Sequence, residues 1–194
     1  VSRPMVEAPH ARRAESASQT SSVPAPLVLV MGVSGAGKST IGALLAEALG
    51  VAFADADAFH PPANVAKMSA GTPLTDDDRW PWLDAIGAWL TACGNTGGVV
   101  ACSALKRAYR DRLRAACPAL RLIHLDGDAA LIAARQAGRP GHFMPASLMA
   151  SQFATLETPT TQEGAIILSV APPPVQVLAA ALAALGMDCP APRR

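Results

Sequence analysis

The sequence predicts an α/β fold in which a five-stranded parallel sheet is sandwiched by helices, and three observations carry that expectation. Short, continuous apolar runs recur without polar alternation, as strands buried on both faces require. Longer stretches with apolar residues at helical spacing separate them, so strand and helix alternate along the chain. Glycine and proline fall at the joins. At 194 residues and 19.9 kDa the chain is one domain's length, enough to bury roughly 70% of its unfolded surface.

Leu27 to Met31 is the first such run. From Lys38 the period changes, with Ile41, Leu44, Leu45, Ala48 and Leu49 on one helical face and Gly50 as C-cap. Val51 to Ala54 is the second strand and leads into Asp55-Ala56-Asp57. Residues 58–75, with His, Pro, Gly and Asn, read as loop with a helical turn at most. Thr75 with Asp78 three residues later marks a helix start, helped by acids near the positive end of the dipole. Trp82, Leu83, Ile86, Trp89 and Leu90 share one face of that helix, and the stretch from Gly94 to Gly98 ends it. Val99 to Cys102 is the third strand, followed by a helix from Leu105 to Ala116. A strand from Leu120 to Leu125 and a helix from Asp128 come next, and Pro145 opens another helix. Ala165 to Val170 is the fifth strand, and a helix from Val175 to Leu185 closes the pattern. Ligands of such sheets sit at the carboxyl ends of the strands.

Sixteen basic and fifteen acidic side chains leave a net charge of +1, which gives no general attraction to nucleic acid or anionic lipid. Half of the basic residues lie between Lys106 and Arg139, a local positive patch suited to a small anionic ligand. No apolar run approaches the roughly 20 residues that span a bilayer, so no membrane segment is expected. Cys93, Cys102, Cys117 and Cys189 form no CxxC pair and no zinc spacing with the histidines, as expected of reduced thiols in a cytoplasmic protein. Residues 1–25, rich in Ser, Ala and Pro, are expected to be a disordered N-terminal extension, residues 26–187 the folded domain, and 188–194 a flexible tail.

Gly32-Val33-Ser34-Gly35-Ala36-Gly37-Lys38-Ser39 fills every fixed position of GxxxxGK[ST], directly after a buried strand and directly before a helix. Glycines let the backbone N–H groups curl towards phosphates, and the helix adds its positive dipole end. These residues, with Thr40 next in line, would hold ATP; Lys38 would reach the β- and γ-phosphates and Ser39 would hold Mg²⁺. The expected architecture is therefore a P-loop NTPase fold.

The rest of the chain narrows the chemistry. No Asn-Lys-x-Asp reads guanine, and the third strand runs into Ala101-Cys102-Ser103 without an acid. Asp55 and Asp57 directly follow the second strand. Two carboxylates two residues apart point the same way if the chain stays extended. One can then serve the metal or take a hydroxyl proton while the other holds a substrate hydroxyl, and phosphoryl transfer needs little more than positioning and charge neutralisation.

Several blocks together resemble the small bacterial-type gluconokinases, which are shikimate-kinase-like P-loop kinases. They are Gly32 to Ser39, Asp55 to Pro61 (DADAFHP), Asp76 to Leu83 (DDDRWPWL), Cys102 to Lys106 (CSALK) with Tyr109-Arg110-Asp111, and Gly141-His142-Phe143. The resemblance runs from about residue 27 to 185. It implies ATP and Mg²⁺ as co-reactants, gluconate as acceptor, 6-phosphogluconate as product and a homodimer. It places Asp55 as the metal-proximal or base carboxylate and Asp57 as a substrate ligand, with His60, Arg79, Lys106 and Arg110 lining the gluconate pocket. Arg79 offers the bidentate fork that a carboxylate accepts. Lys106 and Arg110, four apart, are expected on one helix face. Arg135 and Arg139 bracket Gly138 before Pro140-Gly141, the composition of a mobile lid that closes over ATP and brings a guanidinium to the transferring phosphate. Lys38, Asp55 and Arg135 are thus the expected catalytic set, and Ser39 with Asp55 the metal site. Ala56 stands where such kinases usually carry glycine, and Ser169 where they often carry an acid. Shikimate kinase, adenylylsulfate kinase and a non-catalytic ATP-binding sensor are the alternatives; the first two lack the His-Pro and the triple-Asp-Arg block.

Overall fold

A computed structural model describes residues 24–137 and 146–187. β1 (Leu27–Met31) is the central strand and is buried from Val28 onward. The parallel sheet also contains β2 (Ala52–Asp55), β3 (Gly98–Ala101), β4 (Arg121–Asp126) and β5 (Ile166–Ser169), in the order β2-β3-β1-β4-β5. Alternate residues of β1 supply two separate cores, which is why its sequence carries no polar alternation. Val28 and Val30 pack with α1 (Lys38–Leu49) and α7 (Pro174–Leu185) through Ile41, Leu45, Ala181 and Leu182. Leu29 and Met31 face α3 (Asp76–Cys93) and α4 (Arg107–Ala116) through Leu83, Ile86, Leu90 and Leu113.

The remaining helices are α2 (Pro62–Ser69), α5 (Ala129–Ala137) and α6 (Ala146–Thr155). β1 and α1 begin where the sequence places them, Gly50 caps α1 in the left-handed region, and the other boundaries differ by one or two residues. Residues 58–75 depart further. They take in the end of a 3₁₀ turn (Ala56–Phe59) and the whole of α2, with Pro62 in its first turn. Pro62 suits that place because its missing N–H has no partner there anyway. α2 escaped periodicity because its one buried residue is polar, Asn64.

The start of α3 is a full capping box. Asp78 N–H donates to Thr75 Oγ1 at 3.3 Å, and Thr75 N–H donates back to Asp78 Oδ2 at 2.8 Å. Lys67 of α2 donates to Asp78 Oδ1 at 2.6 Å, and with the Thr75 bonds it holds that carboxyl at about 2.

Among the described residues Arg110 is the largest fully buried side chain. Its Nε and Nη2 donate to Glu163 at 2.6 and 2.9 Å, and its Nη1 donates to the carbonyls of Ala104 and Leu105 at 3.1–3.2 Å. The substrate-binding role expected of Arg110 is therefore corrected. Lys106 is the N-cap of α4 with extended backbone and lies outside the helix, so the two cations do not share a helical face. Arg110 turns inward and braces the 104–105 turn, where Ala104 takes a left-handed φ of 41°.

Both side chains of this pair are at most 2% exposed, so removing one partner strands a buried charge, at a cost of about 3 kcal/mol. Glu163→Gln should lower the urea midpoint accordingly at neutral pH. The Arg110 bonds hold the Glu163 carboxyl below its ordinary 4.5. The pair's contribution is thus complete above that value and is lost as pH falls through the lowered one. The gap between wild type and variant should narrow in acid, and a gap independent of pH would refute the assignment.

Candidate active site

The chain leaves β1 at Gly32 and re-enters helix at Lys38. Gly32 has φ 145°, and a Cβ there would lie 2.8 Å from the Leu125 carbonyl oxygen, so the glycine is required both by conformation and by space. Gly37, at φ 94°, is the N-cap of α1. Lys38 Nζ donates to Val33 O at 3.1 Å across the loop. Burial lowers the pKa of its ammonium, while the facing Asp57 and Asp55 carboxylates oppose that shift. The neighbouring Cys102 thiol is pushed up to about 12 by burial and stays neutral. Ser34 N–H donates to Gln152 Oε1 of α6 at 2.6 Å, which ties the loop to α6. Val33, Gly35 and Ala36 complete the loop, and Ser39 and Thr40 fall in the first turn of α1.

The loop lies where the strand order reverses, since β1 pairs with β3 on one side and β4 on the other. Gly32 N–H donates to Ser103 O and Cys102 N–H to Val30 O, which fastens the two strand ends together. From the end of β2, Asp55 Oδ2 accepts from Ser39 Oγ at 2.6 Å and Asp55 Oδ1 from Asp57 N–H at 3.1 Å. The second bond shows why the chain does not stay extended between the acids: Asp55 caps the 3₁₀ turn. The two carboxylates therefore face different partners. Asp55 belongs to Ser39 and the loop, whereas Asp57 lines a neighbouring cavity. Ala56 fits between them without left-handed backbone, buried, with its carbonyl accepting from Trp82 Nε1 at 2.7 Å.

That cavity, of about 440 Å³, brings together Asp57, His60, Arg79, Trp82, Ser103 and Tyr109, with Ser151, Gln152 and Thr155 of α6 opposite. His60 stacks on Trp82, ring centroids 4.4 Å apart and planes 9° from parallel. Arg79 Nη1 donates to Leu74 O at 2.7 Å and lies 3.7 Å from Asp76 Oδ1. Lys106, expected to line the pocket, is not among the residues that line this cavity; its ammonium donates to both Asp76 oxygens at 2.7–2.8 Å, and Tyr109 OH donates to Asp76 Oδ1 at 2.5 Å. Those two bonds hold the Asp76 carboxyl below its usual range. Asp76 thereby fixes two cations at the edge of a pocket that also holds an acid.

Sequence reasoning missed Trp82 as a pocket wall, Asp76 and Tyr109 as the frame around the cations, and Gln152. The DDDRWPWL block held the first two in plain view; Gln152 gave no signal, because its role depends on α6 folding back over the loop. Arg135 falls within α5, but its side chain, like Arg139 and Gly141 to Phe143, lies outside the described residues.

A phosphate loop backed by a hydroxyl–carboxylate pair and opening on a polar, cation-edged cavity defines a P-loop kinase of small molecules. The shikimate kinase family matches residues 34–165. The gluconokinase of Gluconobacter oxydans (strain 621H) is 50% identical over 144 residues, 73% of this chain and 81% of that protein. The thermosensitive gluconokinase of Escherichia coli (strain K12) is 45% identical over 141 residues, 72% of this chain and 75% of that protein. The crystal structure of a gluconokinase from Sinorhizobium meliloti 1021 superimposes with a TM-score of 0.78 at 48% identity, covering 84% of this chain and 93% of that one. The chain belongs to the gluconokinase family.

Gly32→Ala should weaken nucleotide binding at least tenfold, about 1.4 kcal/mol, because its Cβ meets the Leu125 carbonyl. Nucleotide titration calorimetry on the folded variant reads the effect, and unchanged affinity would show that the loop accommodates the methyl group.

Proposed function

We propose that the chain transfers the γ-phosphoryl group of Mg-ATP to D-gluconate, giving 6-phospho-D-gluconate. One observation carries this reading: the Ser39–Asp55 contact couples the phosphate loop to a strand end whose next carboxylate, Asp57, lines the cavity shared with His60 and Arg79. Gluconate is an anion with a chain of hydroxyls. A guanidinium for the carboxylate and a carboxylate for the reacting hydroxyl are what such a molecule needs.

The loop amides and Lys38 hold the phosphates, and Lys38 neutralises charge that builds as the phosphoryl group moves. Ser39 Oγ and Asp55 Oδ2 together make a hard-oxygen pair of the kind Mg²⁺ shares with phosphate and water, and the ion would supply charge neutralisation between the phosphates. Asp57 accepts the hydrogen bond of the acceptor hydroxyl, aims its oxygen at the γ-phosphorus and takes its proton as ADP departs. Arg79, braced by Leu74 O and Asp76, receives the acceptor's carboxylate, and Lys106 adds positive potential at that end. Arg135 and Arg139 are the lid arginines of this reading, which includes the homodimer and a cytoplasmic setting implied by the resemblance. The free thiols of Cys93, Cys102 and Cys117 support that setting. Among the described residues no helix is long and apolar enough to cross a membrane.

A coupled ADP assay across gluconate, shikimate and adenylylsulfate tests the acceptor: turnover is expected with gluconate, and ADP release with another acceptor alone would overturn it. Lys38→Met should lower kcat at least a hundredfold, roughly 2.7 kcal/mol, in a protein that still melts cooperatively; full turnover would remove Lys38 from the mechanism. Arg79→Ala should raise the KM for gluconate far more than the KM for ATP. Equal loss of both would place Arg79 outside the acceptor pocket.

A further inference from the structure

We propose that Asn64 is a positioning residue that fixes His60 as its Nε2–H tautomer, so that a neutral imidazole offers a hydrogen-bond donor to an oxygen of the acceptor in the cavity. The acceptor's role rests on the proposed phosphoryl transfer; the tautomer itself does not.

Asn64 is the one buried residue of α2, 4% exposed and polar. Its Nδ2 donates to the backbone carbonyl of Asp78 at 2.8 Å. A carbonyl oxygen only accepts, so the atom facing it is the amide nitrogen and not the amide oxygen. The same nitrogen lies 3.3 Å from His60 Nδ1, and an amide nitrogen has a second hydrogen to donate there. A donor facing Nδ1 requires a lone pair on Nδ1, which leaves the single proton of a neutral ring on Nε2.

Stacking holds the plane of the ring, and the Asn64 contact selects the edge presented to it, since a half-turn would put a C–H there in place of Nδ1. Trp82 covers one face in parallel stacking, and Trp82 is itself tethered by its Nε1–H bond to Ala56 O. Charged groups around the ring come from two elements. Asp57 of the 3₁₀ turn favours the cation, while burial, the largest influence, and Arg79 of α3 favour the neutral form. The nearby Asp78 carboxylate is answered by Lys67 and Thr75. The ring is therefore held below its ordinary 6.5 and is neutral at physiological pH.

A chemical consequence follows. With Nδ1 already accepting and Nε2 carrying its hydrogen, His60 has no site at which to take a proton from the acceptor. It is a donor only, and Asp57 beside it is an acceptor only. The pair reads opposite polarities on oxygens of one polyhydroxy acid: a hydroxyl that donates to Asp57 and an oxygen lone pair that accepts from His60.

Two measurements test this. Long-range ¹H–¹⁵N correlation of the ¹⁵N-labelled wild-type protein should show His60 protonated at Nε2 and bare at Nδ1. Asn64→Leu, close in shape but unable to donate, should give a mixture of tautomers. Its acceptor KM should rise by the inverse of the remaining Nε2–H fraction, about twofold for an even mixture, with kcat and the KM for ATP nearly unmoved. Asn64→Asp puts a proton acceptor at Nδ1, so the ring carries hydrogens on both nitrogens at low pH and only on Nδ1 once it deprotonates. The kcat/KM for the acceptor should then fall as pH rises through the new His60 pKa, a limb that the wild type lacks. An Nδ1–H tautomer in the wild type, or overlapping pH profiles for Asn64→Asp and wild type, would overturn the inference. If a variant does not fold, the wild-type tautomer alone decides. Absence of any gluconate turnover in the wild type would refute the proposed function and leave the spectroscopic result standing as the test of this one.

Discussion

The hydrogen bond from Ser39 to Asp55 joins two strand ends that are not neighbours. Ser39 lies in the first turn of the helix after β1, Asp55 ends β2, and β3 runs between them in the sheet. Such a bond is possible only if all three strands end at the same level, and the register Val30–Ala101 and Asp55–Ala101 sets that level. The two cores beneath hold the register, since slipping β1 by one residue would exchange its two buried faces. Packing thus fixes the spacing between phosphate loop and acid to within the length of a hydrogen bond, without any flexible element taking part.

Around the cavity the same economy appears in the charges. Asp76 restrains Lys106 and sits close to Arg79, so both cations are held by one carboxylate and Tyr109 completes its shell. A pocket with free cations would attract any anion; one whose cations are partly answered selects for a ligand that supplies more than charge. Asp57 and His60, facing the same space from the 3₁₀ turn and its cap, add that further demand.

Much of this was legible in the chain. The loop declared itself through Gly32 to Ser39, and β1 through an unbroken apolar run, because both signals are local. The Thr75–Asp78 cap was equally local. Arg110 was misjudged because spacing of four residues implies a shared face only within a helix, and Lys106 proved to stand just outside one. Its partner Glu163 is 53 residues away, a pairing no local pattern announces. α2 was hidden because it turns a single side chain inward, and Trp82 read as core because an indole that walls a pocket and one that fills a core look alike in sequence. Long-range pairing and the sidedness of one residue are what the third dimension adds.

The sulfur of Cys102 lies under the phosphate loop, close enough to Lys38 for the two to influence each other, and its thiol remains protonated up to about 12. Electrophiles and peroxides attack thiolates, and a thiol so reluctant to ionise presents almost none at neutral pH. This sulfur is therefore poorly open to oxidation or alkylation. A thiol reagent thus finds little thiolate to attack beneath the phosphate loop.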